Sequence, residues 1–245
     1  MITHNIKLQD FYSCPVIPLN IKNEQFVFEH EVVEFVFNSY GYRTHEFDNI
    51  SQHIVVSGCS LTEGHGLHHY QTWAAQYENA VGITLYNLAK GCSSADFVSQ
   101  VLQNWIYTHK PQLVIAQWPN PFRSLTWNNS LAKFSLPTDF DEIYRVNLKN
   151  GIENFYYRWC NSIITLDRLC RLKKIPIVHI CLETHNVVDP ALDILKQFDI
   201  DLHYDMKMPD KTWYFDNSAL DQCHHSEWCN TKWTERLLNL SKKML

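Results

Sequence analysis

Short β-branched runs alternate with stretches of helical length from residue 53 onward, and this alternation constrains the fold more than any other feature of the sequence. The runs are His53–Ser57, Thr84–Ala89, Gln112–Trp118 and Ile175–Glu183. Each run has the length of one strand, and the segments between them are long enough for helices. Strands that alternate with helices form a mainly parallel sheet, so we predict an α/β domain.

Apolar spacing supports helices between and after these runs. One predicted helix follows the N-cap candidate Ser94 and turns one face to the sheet through Val98, Val101, Leu102 and Trp105. A longer helix between Glu153 and Lys174 has inward positions at Phe155, Trp159, Ile163, Leu166, Leu169 and Leu172. A C-terminal helix is predicted within Ser226–Leu245, where one helical face contains Trp233, Leu237 and Leu240.

The length of 245 residues fits one α/β domain, and 45% hydrophobic with 19% charged residues is an ordinary globular balance. We predict an N-terminal extension, residues 1–50, packed on a domain of residues 51–245. Residues 119–150 have no clear period and are rich in Pro, Asn and Ser. An insertion of this length beside a strand end is typical of a lid.

Charge and composition exclude several classes of function. The formal charge of −5, without a basic run, opposes nucleic-acid binding. The first residues do not have a signal-peptide pattern, and no run of about 18 apolar residues occurs, so we expect no membrane partner and a cytoplasmic protein. The eight cysteines lack CxxC spacing and are expected to stay reduced. The oligomeric state is left open.

Four short segments carry the chemistry. In the first, Val55–Gly64, a buried strand runs into a turn with glycines around Ser60, which places this hydroxyl at the carboxyl edge of the sheet. The other three segments, also at strand or loop ends, are Asn87–Ser94, Val114–Asn120 and Asp221–His224.

In order and spacing these segments resemble the four sequence blocks of the SGNH (GDSL-like) hydrolases, over roughly residues 50 to 240. The resemblance implies a three-layer α/β/α, flavodoxin-like fold and a reaction that needs no cofactor. It implies Ser60 as nucleophile, His224 as its base and Asp221 as the residue that orients the base. The implied oxyanion donors are the Ser60 N–H, the Gly91 N–H and the Asn120 side-chain amide.

The sequence departs from the family pattern at several positions. Cys59 stands where the family has Asp, Trp118 and Pro121 replace a Gly and an Asp, and His225 replaces a Pro. His225 is adjacent to His224 and is therefore the competing candidate for the base. Several histidines and cysteines cluster in sequence, but no pair has zinc-finger spacing, so we predict no metal.

The motifs together predict a hydrolase of O-acyl esters, and acetyl esters on carbohydrate are one candidate substrate. Two alternatives stay open. The same triad can transfer the acyl group to a sugar hydroxyl if the 119–150 insertion excludes water. The fold can also serve a non-catalytic glycan-binding or structural module, because a fold does not guarantee a function.

Overall fold

Ten strands and six α-helices make up the part of the chain that the structure, a computed structural model, describes: residues 6–7, 23–28, 31–48, 50–128, 131–135, 151, 153–205, 219–221 and 224–245. The strands are β1 (Ile6–Lys7), β2 (Glu24–Phe28), β3 (Glu31–Phe35), β4 (Ile54–Ser57), β5 (Leu85–Asn87), β6 (Leu113–Trp118), β7 (Ser124–Asn128), β8 (Leu131–Ser135), β9 (Ile177–Thr184) and β10 (Leu202–Asp205). The helices are α1 (Ser60–Glu63), α2 (Trp73–Val81), α3 (Ala95–Thr108), α4 (Glu153–Lys173), α5 (His185–Lys196) and α6 (Glu227–Ser241).

The central sheet has five parallel strands in the order β10-β9-β6-β4-β5. This is the flavodoxin-like order, in which the chain starts near the middle, moves to one edge and then crosses back. The predicted α/β fold with a mainly parallel sheet is confirmed. The strand order reverses between β4 and β6, and the crevice beyond the carboxyl ends of these two strands is where such sheets bind ligands.

Helices cover both faces of this sheet. Successive residues of β4 point to opposite faces, with Val55 in one core cluster and Ile54 and Val56 in the other. The first cluster includes buried residues of α3, α4 and α5, and the second includes buried residues of α2 and α6. The architecture therefore has three layers, as the resemblance implies. Within the described residues, no helix is long and apolar enough to cross a membrane.

The predicted helix after Ser94 is confirmed, because the Ser94 hydroxyl accepts a hydrogen bond from the Phe97 N–H and α3 starts at the next residue. One residue of the longer helix α4 was assigned to the wrong face. Leu172, predicted to point inward, is 78% exposed. The buried Cys170 takes the inward position of the last turn, and Leu172 lies two residues, about 200°, further around the helix.

Two smaller β-structures flank the domain. β2 and β3 pair as an antiparallel hairpin within the predicted N-terminal extension, and β1, β8 and β7 form a separate three-stranded sheet. β7 and β8 belong to the predicted lid, of which residues 129–130 and 136–150 lie outside the described residues. The lid role and the division of the chain at residue 50 stay predictions.

Candidate active site

Ser60 occupies a tight turn between the central sheet and a short helix. β4 ends at Ser57, and Ser60 is the first residue of α1. A Cβ atom at Gly58 would lie 2.4 Å from Thr62 Oγ1 and 2.5 Å from Gln117 Oε1, so the turn requires glycine at this position. Ser60 itself is 8% exposed.

The side chain of Gln117 fixes this turn from the neighbouring strand β6. Its Oε1 accepts hydrogen bonds from the Cys59 N–H at 2.8 Å and from the Thr62 hydroxyl at 3.0 Å. Its Nε2 donates to the carbonyl of Trp118, and the whole side chain is buried. Sequence reasoning missed Gln117, because its position in a buried strand gives no sign that its side chain reaches the nucleophile turn.

Ser60, His224 and Asp221 form one row of hydrogen bonds. His224 Nε2 lies 2.9 Å from Ser60 Oγ, and His224 Nδ1 lies 2.5 Å from Asp221 Oδ2. An ionised carboxylate only accepts hydrogen bonds, so the proton is on Nδ1 and the lone pair on Nε2 faces the serine hydroxyl. The side chains of His224 and Asp221 are 22% and 15% exposed, which leaves the row open to a substrate.

The loop before α6 is held against the segment that follows α1. The Leu220 N–H donates to the carbonyl of Gly66 at 3.2 Å, and the Ala219 N–H donates to the carbonyl of His224 at 2.7 Å. Asp221 Oδ1 also accepts from the His224 N–H at 3.1 Å. Residues 206–218 and 222–223, which include part of the predicted Asp221–His224 segment, lie outside the described residues.

His225, the competing candidate, has a different environment. It is 5% exposed, and burial followed by the neighbouring His224 lowers the pKa of His225 to about 4. His224, in contrast, accepts a hydrogen bond from the Ser60 hydroxyl and donates to the Asp221 carboxylate. The geometry therefore favours His224 as the base.

The three expected oxyanion donors lie at the same sheet edge but are not equally available. The Ser60 N–H is in the first turn of α1 and has no intrahelical acceptor. Ser57 in β4 pairs with Ala116 in β6. Ser60 comes three residues after Ser57, and Asn120 comes four residues after Ala116, so both follow the carboxyl ends of neighbouring strands. Asn120 is half-buried, and its Oδ1 accepts from the Phe122 N–H at 3.0 Å. The Gly91 N–H, in contrast, donates to Glu63 Oε2 at 2.5 Å.

Glu63 is the centre of a buried charge cluster beside the triad. Its carboxylate also receives hydrogen bonds from Lys90 Nζ and, at 2.8 Å, from His65 Nε2. Burial favours the neutral acid, but Lys90 and His65 outweigh it and lower the pKa of Glu63 to about 2. The His65 ring centroid is 5.4 Å from that of His224. Sequence reasoning missed this cluster, although Glu63 is part of the nucleophile motif.

Arg43 connects the N-terminal extension to the same region. Its guanidinium donates to the carbonyl oxygens of Glu63, Gly64 and Leu67 at 3.1, 2.8 and 2.9 Å. It also lies 3.8 Å above the ring of Phe35. Burial lowers the pKa of Arg43 to about 10, against the raising effect of Glu63. Nothing in the sequence around Arg43 indicates this role.

Metal binding has no support from the described part of the chain, where no group of three or more His, Cys, Asp or Glu side chains is placed to hold an ion. Two of the clustered histidines pair with carboxylates instead. His65 contacts Glu63, and His68 Nε2 lies 2.6 Å from Glu31 Oε1.

Comparison with known proteins finds similar folds among solved structures. No protein-family model and no curated protein matches the sequence. Among solved structures, the chain is similar to the psychrotrophic esterase EstA from Pseudoalteromonas sp., with 12% identity and a TM-score of 0.54 over 79% of this chain and 98% of that one.

Two carbohydrate esterases are also similar. One is a family two carbohydrate esterase from Clostridium thermocellum in complex with cellohexaose, with 11% identity and a TM-score of 0.52. The other is the acetyl xylan esterase Est2A from the rumen bacterium Butyrivibrio proteoclasticus, with 11% identity and a TM-score of 0.50. Each match covers 81% of this chain and only 66% of the esterase. The fold of this chain is therefore similar to the folds of these three solved structures.

Proposed function

We propose that the chain is a serine ester hydrolase in which Ser60 is the nucleophile, His224 the general base and Asp221 the residue that orients it. The observation that carries the proposal is the hydrogen-bonded row from Ser60 Oγ through His224 to Asp221, at 2.9 and 2.5 Å. A serine hydroxyl is a weak nucleophile at neutral pH and needs a base within hydrogen-bond reach. A fold shared with esterases supports the same reaction class.

The proposed reaction has two halves. In the first, Ser60 Oγ bonds to the acyl carbon while its proton moves to His224 Nε2, and the carbonyl oxygen becomes an oxyanion. The oxyanion then collapses, the ester C–O bond breaks, and His224 protonates the leaving alcohol. In the second half, His224 takes a proton from a water molecule while the water oxygen bonds to the acyl carbon. The second oxyanion collapses, the bond between Ser60 Oγ and the acyl carbon breaks, His224 returns the proton to Ser60 Oγ, and the carboxylic acid leaves. Asp221 stabilises the imidazolium in both halves.

The candidate substrate class is acetyl esters on carbohydrate. Two structures of similar fold are carbohydrate esterases, one described as an acetyl xylan esterase and one in complex with cellohexaose. We therefore propose that the alcohol half of the substrate is a sugar hydroxyl and the acyl half is acetyl.

The test is acetate release from a panel of acetylated oligosaccharides and from acetylated non-sugar alcohols, with the Ser60→Ala variant as the control. The proposal expects release from the sugars by the wild-type protein and none by the variant. Release only from the non-sugar alcohols contradicts the proposed substrate class. Transfer of acetyl to an added sugar acceptor instead of water identifies an acyltransferase, and glycan binding without turnover identifies a binding module.

A further inference from the structure

The backbone amide of Gly91 already has a partner inside the protein. Gly91 aligns with the glycine whose N–H the family resemblance assigns to the oxyanion hole, yet this N–H donates to Glu63 Oε2 at 2.5 Å. Gly91 is buried and Glu63 is 1% exposed, so the bond is shielded from water. A single N–H that donates to a carboxylate makes a strong, charge-assisted bond.

The carboxylate is itself fixed on several sides. Lys90 Nζ binds Glu63 Oε1, and His65 Nε2 shares Oε2 with the Gly91 amide at 2.8 Å. Lys90 is 5% exposed, and its own N–H donates to the carbonyl of Gly58 in the nucleophile turn at 3.1 Å. Moving the Gly91 amide toward an oxyanion would break a buried charge-assisted bond, which is costly.

The space beside Gly91 is also occupied. A Cβ atom at this position would lie 2.9 Å from His65 Nε2 and 3.0 Å from Glu63 Oε2. The His65 ring packs edge-on against Phe35, with centroids 5.3 Å apart, which holds it in place between Gly91 and His224. Side chains of the protein therefore fill the position next to the Gly91 amide.

We propose that Glu63 is a positioning residue that withdraws the Gly91 N–H from the oxyanion hole, so that the Ser60 N–H and the Asn120 side-chain amide stabilise the oxyanion. This inference rests on the proposed serine mechanism and specifies one part of it. Glu63 holds the turn that contains Lys90 and Gly91 against α1 and does not touch the substrate. Gly91 therefore differs in role from the glycine of the family pattern, whose N–H is an oxyanion donor.

Amide NMR of the ¹⁵N-labelled protein tests the proposal directly. A fluorophosphonate reacts with an activated serine: the Ser60 Oγ–P bond forms, the P–F bond breaks, fluoride leaves and the serine proton moves to His224. The adduct carries a tetrahedral oxyanion mimic. The Ser60 amide and the Asn120 side-chain amide are expected to change chemical shift strongly on reaction, whereas the Gly91 amide is expected to keep its downfield shift.

A change at Gly91 as large as that at Ser60 overturns the inference and leaves the serine mechanism in place. A protein that is folded but not phosphonylated at Ser60 overturns the proposed function and this inference with it. The two failures are therefore distinguishable, and the experiment needs no substituted protein.

Kinetics of Glu63→Gln supply a second readout, with Glu31→Gln as a matched control because Glu31 pairs with His68 in an exposed carboxylate–histidine contact. In Glu63→Gln the turn that contains Lys90 and Gly91 is expected to be misplaced, which lowers kcat by up to about 100-fold and changes KM little. Glu31→Gln is expected to keep the wild-type kcat and KM. For the proposed donor Asn120, the Asn120→Ala variant is expected to lose about 100- to 1,000-fold in kcat. A Glu63→Gln variant that folds and keeps the wild-type kcat contradicts the positioning role.

Discussion

Gly66 leaves the space that the carboxylate of Asp221 occupies. A Cβ atom at Gly66 would lie 2.7 Å from Asp221 Cγ, and the Gly66 carbonyl accepts a hydrogen bond from the Leu220 N–H at 3.2 Å. Gly66 also has a φ of +72°, a conformation that favours glycine. The loop that carries Asp221 and His224 therefore docks on a backbone surface that only glycine provides.

Gly66→Ala is expected to displace Asp221 and to lower kcat by on the order of 100-fold. Gly82→Ala is the matched control, because Gly82 has a φ of +67° and nothing within 4 Å of a Cβ atom. Both variants should lose about 1–2 kcal/mol of unfolding free energy from backbone strain. Denaturant unfolding and ester-hydrolysis kinetics on both proteins check this, and equal kcat values would contradict the docking.

Gln117→Leu is expected to weaken the nucleophile turn, because it removes the acceptor for the Cys59 N–H and the Thr62 hydroxyl. Leaving a buried donor unsatisfied costs about 1–3 kcal/mol of unfolding free energy. We expect kcat to fall as well. Gln103→Leu, which removes a half-buried side-chain hydrogen bond to Ser99, is the control and should keep the wild-type kcat. Similar kinetics for the two variants would show that Gln117 does not position the turn.

Arg43→Met is expected to destabilise the protein by about 3 kcal/mol, because it removes the guanidinium that donates to the carbonyl oxygens of Glu63, Gly64 and Leu67 at the end of α1 and just after it. Arg158→Met is the control. Arg158 forms an exposed ion pair with Asp96, and such pairs contribute less than about 1 kcal/mol. Thermal unfolding measured side by side checks the difference. A loss for Arg43→Met no larger than that for Arg158→Met would contradict the bridging role.

Four of the five strands of the central sheet were predictable, because buried strands of a parallel sheet read as nearly continuous apolar runs. β4 and β6 match the predicted runs to within one residue at each end. β10 was missed, since its four residues, Leu-His-Tyr-Asp, have no apolar run. The hairpin of β2 and β3 was also missed, because charged and apolar residues follow one another in β3 without strict alternation.

The site was partly predictable for a similar reason. Ser60, Asp221 and His224 occupy short local motifs, and the parallel sheet brings the ends of such motifs to one edge. The hydrogen bond from the Gly91 N–H to Glu63 was not predictable, because it depends on the burial of the Glu63 side chain and on its ion pair with Lys90. Arg43 donates hydrogen bonds to Gly64 and Leu67, which lie more than 20 positions away in the sequence, and no local sequence pattern predicts contacts of this kind.

The buried His225 predicts a pH dependence of stability. Its pKa falls from an ordinary 6.5 to about 4 in the folded protein, so the unfolded chain binds the proton more tightly. Its contribution to stability is therefore complete above pH 6.5 and is lost as the pH falls from 6.5 to about 4, at up to about 3 kcal/mol.

His225→Gln removes this contribution, and the loss of unfolding free energy between pH 7 and pH 4 should be smaller in the variant by up to about 3 kcal/mol. Denaturant unfolding across this range measures the difference. The remaining slope belongs to other groups with a lowered pKa, which are the carboxyl groups of Glu63 and Asp167, near the acid end of the range, and the imidazoles of His53, His69, His109, His179 and His203. The same slope in both proteins would show that His225 is not held neutral.

The most direct test of the central claim is release of p-nitrophenol from p-nitrophenyl acetate by the wild-type protein, Ser60→Ala and His224→Ala, with folding checked by circular dichroism. The account predicts an active wild type and two folded variants that lose nearly all activity, by on the order of 10⁴-fold or more. An inactive wild type, or a Ser60→Ala variant as active as the wild type, contradicts the assignment of a serine hydrolase.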